Sequence, residues 1–153
     1  MNRLIKSNKF DENFHGQLPG QKSYNAITAD ISVTVWPEFV DNKTGVTGEI
    51  YIWAYQVLVE NKKDEAIQIM KRSWKIVDEK GTVQEVTGDG VVGEQPIILP
   101  NASFQYSSGV HLTNPSGIMS GKYFIKKIDE EKLYEIEIPS FSLDVPSLQG
   151  TVN

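Results

Sequence analysis

The chain has 153 residues, 39% hydrophobic and 23% charged, with no cysteine and a formal net charge of −5. This is the composition of one globular domain with room for a core, and it excludes disulfide staples, thiolate metal sites and cysteine nucleophiles. No apolar run approaches the ~20 residues of a membrane helix, and the start has no apolar stretch of signal-peptide length, so no membrane insertion is expected and the expected address is the cytoplasm.

Residues 1–28 read as an N-terminal extension, disordered or laid along the domain, because Gly16, Pro19 and Gly20 break any periodicity. Only Leu4, Ile5, Phe10 and Phe14 offer apolar anchors there. Four Lys/Arg stand against two acids in this stretch, a balance of +2, which leaves eleven against eighteen, or −7, for residues 29–153. A body so acidic does not suit nucleic acid, whose non-specific affinity comes from phosphate neutralisation.

From Ala29 the hydrophobic period becomes two. Ile31, Val33 and Val35 alternate with Ser32 and Thr34 up to Trp36-Pro37, which predicts a half-buried strand. Asp41-Asn42 and Gly45 predict a turn. Between Ile50 and Glu60, Tyr51, Trp53, Tyr55, Val57 and Val59 occupy one face and Ile50, Ile52, Ala54 and Leu58 the other. Such a strand belongs at the centre of a sheet, partly covered on its second side.

Asn61 to Asp64 predicts a turn, Ala66 to Val77 a strand, Asp78-Glu79-Lys80-Gly81 a hairpin and Thr82–Thr87 a short strand. Residues 88–102 read as a loop with three glycines and two prolines. Alternation resumes at Phe104, Tyr106, Val110 and Leu112, and Asn114-Pro115-Ser116-Gly117 turns the chain. The last strands span Ile118–Ile128 and Tyr134–Val145. In the final one the apolar positions switch from even (Tyr134, Ile136, Ile138) to odd (Phe141, Leu143, Val145), which predicts a bulge near Pro139. No stretch keeps helical spacing. About seven short strands define an all-β fold, an antiparallel sandwich of immunoglobulin-like or fibronectin type III-like form in one domain over residues 29–153.

Six blocks carry a resemblance. They are Tyr55-Gln56-Val57 with Glu60-Asn61, Arg72-Ser73-Trp74, Gly88 to Pro96, Phe104 to Gly109, Pro115 to Gly121, and Phe141 to Pro146. In this order, over about residues 29–148, the chain resembles the ApaG family; the 28-residue front extension departs from its bacterial members. The resemblance implies a fibronectin III-like sandwich. It implies an indirect tie to cobalt and magnesium homeostasis in bacteria, where the gene often neighbours a diadenosine-tetraphosphate hydrolase. It also implies protein binding, the role that similar domains in eukaryotic F-box proteins and a polymerase-delta-interacting protein resemble.

Gly88-Asp89-Gly90-Val91-Val92-Gly93 matches G-x-G-x-x-G, which holds pyrophosphate where a strand feeds a helix N-terminus. Here Glu94-Gln95-Pro96 to Pro100 cannot open a helix, and Asp89 would repel phosphate. Three roles remain for the loop. Its glycines supply positive-φ turns while Val91 and Val92 fill the core, its amides form a nest for a small anion or nucleotide, or its tip meets a protein.

On the strand from Ala66, Met70, Arg72, Trp74 and Ile76 share one face. Arg72 among apolar neighbours needs a partner, expected as stacking on Trp74 with hydrogen bonds to a carboxylate or to loop carbonyls. Gly88, Asp89, Gly90, Gly93, Arg72 and Trp74 are therefore the candidate ligand- or partner-binding residues. His111 falls on a polar face with Ser107 and Thr113, and Asp129-Glu130-Glu131 lacks the ligand spacing of a calcium loop, so no metal site and no cofactor are expected. No nucleophile elbow or acid–base pair stands out. The expectation is a binding module with an unknown protein partner; the alternative is a nucleotide or pyrophosphate binder using the Gly88–Gly93 loop and Arg72.

Overall fold

The computed structural model describes residues 4–5 and 22–146, and these form strands and turns with no helix. In chain order the strands are β1 (Leu4–Ile5), β2 (Tyr24–Thr28), β3 (Ile31–Gly45), β4 (Gly48–Asn61), β5 (Ile67–Asp78), β6 (Val83–Asp89), β7 (Ile97–Ile98), β8 (Ser103–Leu112), β9 (Ser116–Lys127) and β10 (Tyr134–Asp144). One sheet is ordered β1-β7-β5-β9-β10, with β6 also paired to β5; the other is β2-β3-β4-β8. Pairing is antiparallel except for the two-residue parallel contact of β1 with β7. The all-β antiparallel sandwich expected from the alternation is the observed fold.

Its core is the inward face of β4 laid against the other sheet. Trp53, Tyr55, Val57 and Val59 pack with Trp74, Ile76, Met119, Tyr123 and Phe141. Tyr55 meets Trp74 edge-on at 5.4 Å, and Trp74 meets Phe141 edge-on at 6.0 Å, the geometry that ring quadrupoles favour. On the second face of β4, Leu58 is buried with Trp36 while Ile50 and Ile52 stay half-buried. Asn61 is buried, and its Nδ2 donates to the carbonyls of Glu65 and Ile98, joining the end of β4 to the neighbouring loops.

Several local expectations change. The predicted turn at Asp41–Gly45 is instead the arm of a long hairpin, because β3 pairs with β4 as far as Gly45↔Gly48. A bulge between Phe39 and Asp41 carries β3 through, and Asn42 and Thr44 donate across the hairpin to the Glu49 carboxylate. Those two bonds, Thr44 first, hold the Glu49 carboxyl below its ordinary range. The sandwich also takes in the end of the segment 1–28, since β2 pairs with β3 from Tyr24↔Val35 to Thr28↔Ile31. Of the apolar anchors expected in that segment, Leu4 and Ile5 form β1 against β7, whereas Phe10 and Phe14 lie outside the described residues.

The bulge expected near Pro139 is present, with the β10–β9 register shifting between Ile138 and Phe141. A second one, between Ile69 and Lys71 on β5, has no counterpart in the sequence reading. It reverses the parity of β5, so that Ile67 and Ile69 face inward before it and Arg72, Trp74 and Ile76 after it.

The two sides of the sandwich differ. Glu137 N donates to Thr28 Oγ1 at 3.1 Å, which ties β10 to β2 and closes that side. Across the molecule β6 and β8 face each other with a cleft between them.

Candidate functional site

The cleft is about 240 Å³ and is lined by Arg72, Trp74, Ile76 and Met119 from one sheet, Val86 from β6, and Ser108 to His111 from β8. The β5 bulge puts Arg72 there. Without the extra residue at Met70, the alternation that buries Ile67 and Ile69 would turn position 72 to solvent. The bulge also presents the Met70 carbonyl to the glycine loop, where it accepts from Gly90 N at 2.8 Å and Gln95 Nε2 at 3.1 Å.

Arg72 is half-buried, and its Nη1 donates to the carbonyls of Asp89 at 2.9 Å and Gly90 at 3.0 Å. Loop carbonyls are thus its partners, as one branch of the sequence reading has it. The expected stacking on Trp74 is not built. The guanidinium lies instead over Gly88, with Nη1, Cζ and Nη2 at 3.0–3.1 Å from where a Cβ would stand. Trp74 is buried and meets Tyr55 and Phe141, so its part in the site is the cleft wall.

The loop is a short hairpin, not an open cradle. Val91 N donates to Glu94 O at 2.7 Å and Glu94 N returns to Val91 O at 2.9 Å, closing a two-residue turn at Val92-Gly93. Both central residues have positive φ, 41° and 83°, as in the tight hairpin turns usually made by Asn-Gly. Gly90 is also at positive φ, and a Cβ there would stand 2.0 Å from Glu94 O. Gly88 does not share the positive φ expected of the loop glycines; it is needed for the approach of Arg72. Val92 does not fill the core beside Val91, because the turn puts it outside, 52% exposed. Three amides that an anion nest would use, those of Gly90, Val91 and Glu94, donate within the protein.

Beneath Arg72 lie three phenols. Tyr106 and Tyr123 are hydrogen-bonded to each other through their hydroxyls across the sheets, and the Tyr55 hydroxyl is hydrogen-bonded to Ser108, its partner in the β4–β8 register. Burial pushes all three above the ordinary phenol range, most strongly at Tyr106 and Tyr123. They stay protonated at neutral pH, so they serve as neutral hydrogen-bonding groups beside the cation and not as bases. The sequence holds no sign of their meeting, which depends on the register of β8 on β4 and of β9 on β5.

His111 is exposed at the cleft rim and Asp129-Glu130-Glu131 is an exposed hairpin tip, as expected. Among the described residues no three His, Asp or Glu side chains come together as a metal set, and no helix is long and apolar enough to cross a membrane.

The chain is similar to known proteins over this same region. The family model "ApaG domain" matches residues 42–127, which include Arg72, the glycine loop and β8. "Protein ApaG" from Brucella suis biovar 1 is 48% identical over 130 residues, 85% of this chain and 99% of that one. "Protein ApaG" from Methylocella silvestris is 44% identical over 131 residues with the same coverage. Among solved structures, a structural-genomics X-ray target superposes with a TM-score of 0.74 at 35% identity, covering 78% of this chain and 89% of that one. A Bordetella pertussis protein described as ApaA gives 0.70 at 36%, covering 76% and 94%. Six sequence blocks, the sandwich and these relatives agree, and the chain belongs to the ApaG family.

Proposed function

We propose that this chain is a non-enzymatic, protein-binding module of the ApaG type that takes its partner at the open side of the sandwich. One observation carries the reading. Val86 pairs with Trp74 and stands on the same, core-facing side of its sheet, yet remains 44% exposed because β8 does not reach over it. Core-facing apolar surface left bare beside a half-buried cation is surface that a partner can cover. Burial keeps the three phenols neutral, so none of them serves as a base at neutral pH, which supports binding over catalysis. In this reading any connection with cobalt or magnesium is indirect, made through the partner.

Val86→Asp tests the proposal. The side chain is at an edge, so the variant folds, and it loses the partner that the wild type captures in affinity purification and in-cell crosslinking. An identical partner profile overturns the cleft as the binding surface. A second reading, capture of pyrophosphate or a nucleotide, is favoured only by the Arg72 guanidinium in the cleft. It requires inorganic pyrophosphate to shift the Arg72 side-chain resonances at a low-micromolar concentration.

A further inference from the structure

The open side holds an edge strand without the usual protection. Natural sheets guard their edges with charged residues, prolines, bulges or a covering segment. Here β10 carries Glu135, Glu137 and Pro139, β2 is tied down by Glu137, and β7 is flanked by Pro96 and Pro100. Strand β6 is short and carries Glu85 and Asp89. By contrast β8 has ten residues without a single Lys, Arg, Asp, Glu or Pro, and it pairs with β4 from Glu60↔Ser103 to Tyr51↔Leu112 with no register shift. Among the described residues no strand pairs with its outer edge. Along such an edge every second residue turns its N–H and C=O outward, ready to bond.

Clefts flank this edge on both faces near its far end. Inside lies the cleft already described, with Arg72, Trp74, Ile76, Val86 and Met119. Outside, Ile50, Ile52 and His111 surround a shallow apolar depression of about 260 Å³ over Gly109, whose missing side chain leaves it open.

We infer that β8 takes an additional, antiparallel strand from a partner protein, an extended peptide segment whose inward side chains include an acidic residue for Arg72. This rests on the cleft reading above and names the class of partner. Alternate side chains of an added strand point to opposite faces, so one set enters the inner cleft and the other the depression at Ile50 and Ile52. The order of side chains follows from the levels along β8. Tyr106 bonds Tyr123, which pairs with Arg72, while Leu112 Cδ1 lies beside Gly117, which pairs with Asp78. Arg72 therefore sits at the Tyr106–Ser108 level and Ile76 nearer Leu112. An antiparallel strand passes Ile76 and Met119 first and Arg72 later. The segment it fits has apolar residues on both faces and an inward Asp or Glu two or four positions after an inward apolar residue. Charge decides against a basic residue at the inward position, since the charged side chain that lines the inner cleft is the Arg72 guanidinium.

The experiment uses the full chain, 15N-labelled, with short acetylated and amidated peptides of alternating valine and threonine carrying one inward glutamate. Hydrogen exchange at residues 105–111 should slow on binding. The glutamate peptide should bind about tenfold tighter than its glutamine counterpart at low salt, an advantage that shrinks as salt is added. A peptide with a central proline should not protect β8. Because Arg72 also holds the glycine loop, the charge is varied in the peptide and not in the protein. Equal binding of glutamate and glutamine peptides overturns the proposal, as does protection confined to another strand, or a chain already dimeric through β8 without peptide. If Val86→Asp loses the captured partner while no peptide protects β8, strand addition falls and the cleft reading stands. If β8 is protected but the Val86→Asp partner profile is unchanged, the peptide site holds and the reading of Val86 falls.

Discussion

The Arg72 guanidinium lies across Gly88, with Nη1 only 3.0 Å from the position of a Cβ, while the same Nη1 is tied to the carbonyls of Asp89 and Gly90. A methyl group at position 88 therefore presses on a group that cannot swing aside without breaking two charge-assisted bonds. Gly88→Ala should cost about 1–2 kcal/mol in denaturant unfolding, and Gly88→Val more. Arg72→Met in the Gly88→Ala background should add little further loss, a non-additivity that a double-mutant cycle would read.

Gly90 and Gly93 both hold positive φ, but only one is crowded. At Gly90 a Cβ would meet Glu94 O at 2.0 Å, whereas at Gly93 it would enter open space. Gly93→Ala carries only the conformational cost, about 1 kcal/mol. Gly90→Ala adds a backbone clash that must break the Val91–Glu94 turn, and should cost about 3 kcal/mol or more. Thermal unfolding of the pair checks the contrast, and equal losses would show that the loop rearranges freely.

Val92 is a β-branched residue at φ 41°, exposed at the first position of a two-residue turn. Its side chain contributes little burial, and its backbone is in a region that β-branched residues disfavour. Val92→Asn should stabilise the protein by about 1 kcal/mol and raise the melting temperature. If partner capture falls at the same time, the valine is a contact residue kept at the expense of stability.

Stability should fall in alkali. The folded-state pKa values of Tyr106 and Tyr123 are raised by burial, so the unfolded chain loses these protons first. Their contribution is complete below the ordinary phenol value of about 10 and is lost as pH rises above it. Tyrosinate absorbance should therefore appear together with loss of near-ultraviolet circular dichroism. Replacing both by Phe should flatten the decline above about pH 10, and a decline of unchanged steepness would assign it elsewhere.

Much of the fold is written in two-residue periodicity, because each long strand has one face in the core and one toward water. The alternation at Ile31–Val35, the two apolar faces of β4 and the parity switch around Pro139 each predict the observed structure. The turn at Asp41–Gly45 is misread because polar residues on an exposed hairpin arm look like a turn when no register is known.

By itself the sequence determined an all-β sandwich and its family. It did not determine the site. The β5 bulge escapes the sequence reading because Met70 joins Arg72, Trp74 and Ile76 in one even series that by itself makes a continuous strand face, which hides the switch from odd Ile67 and Ile69. That bulge aims Arg72 inward, and inter-sheet register then brings Tyr106 to Tyr123 beneath it. Which side of the sandwich stays open is likewise a matter of how two sheets overlap, with β10 reaching β2 and β8 falling short of Val86. Side-chain pattern records which face of a strand is buried; only the packing of one sheet on the other decides where burial stops.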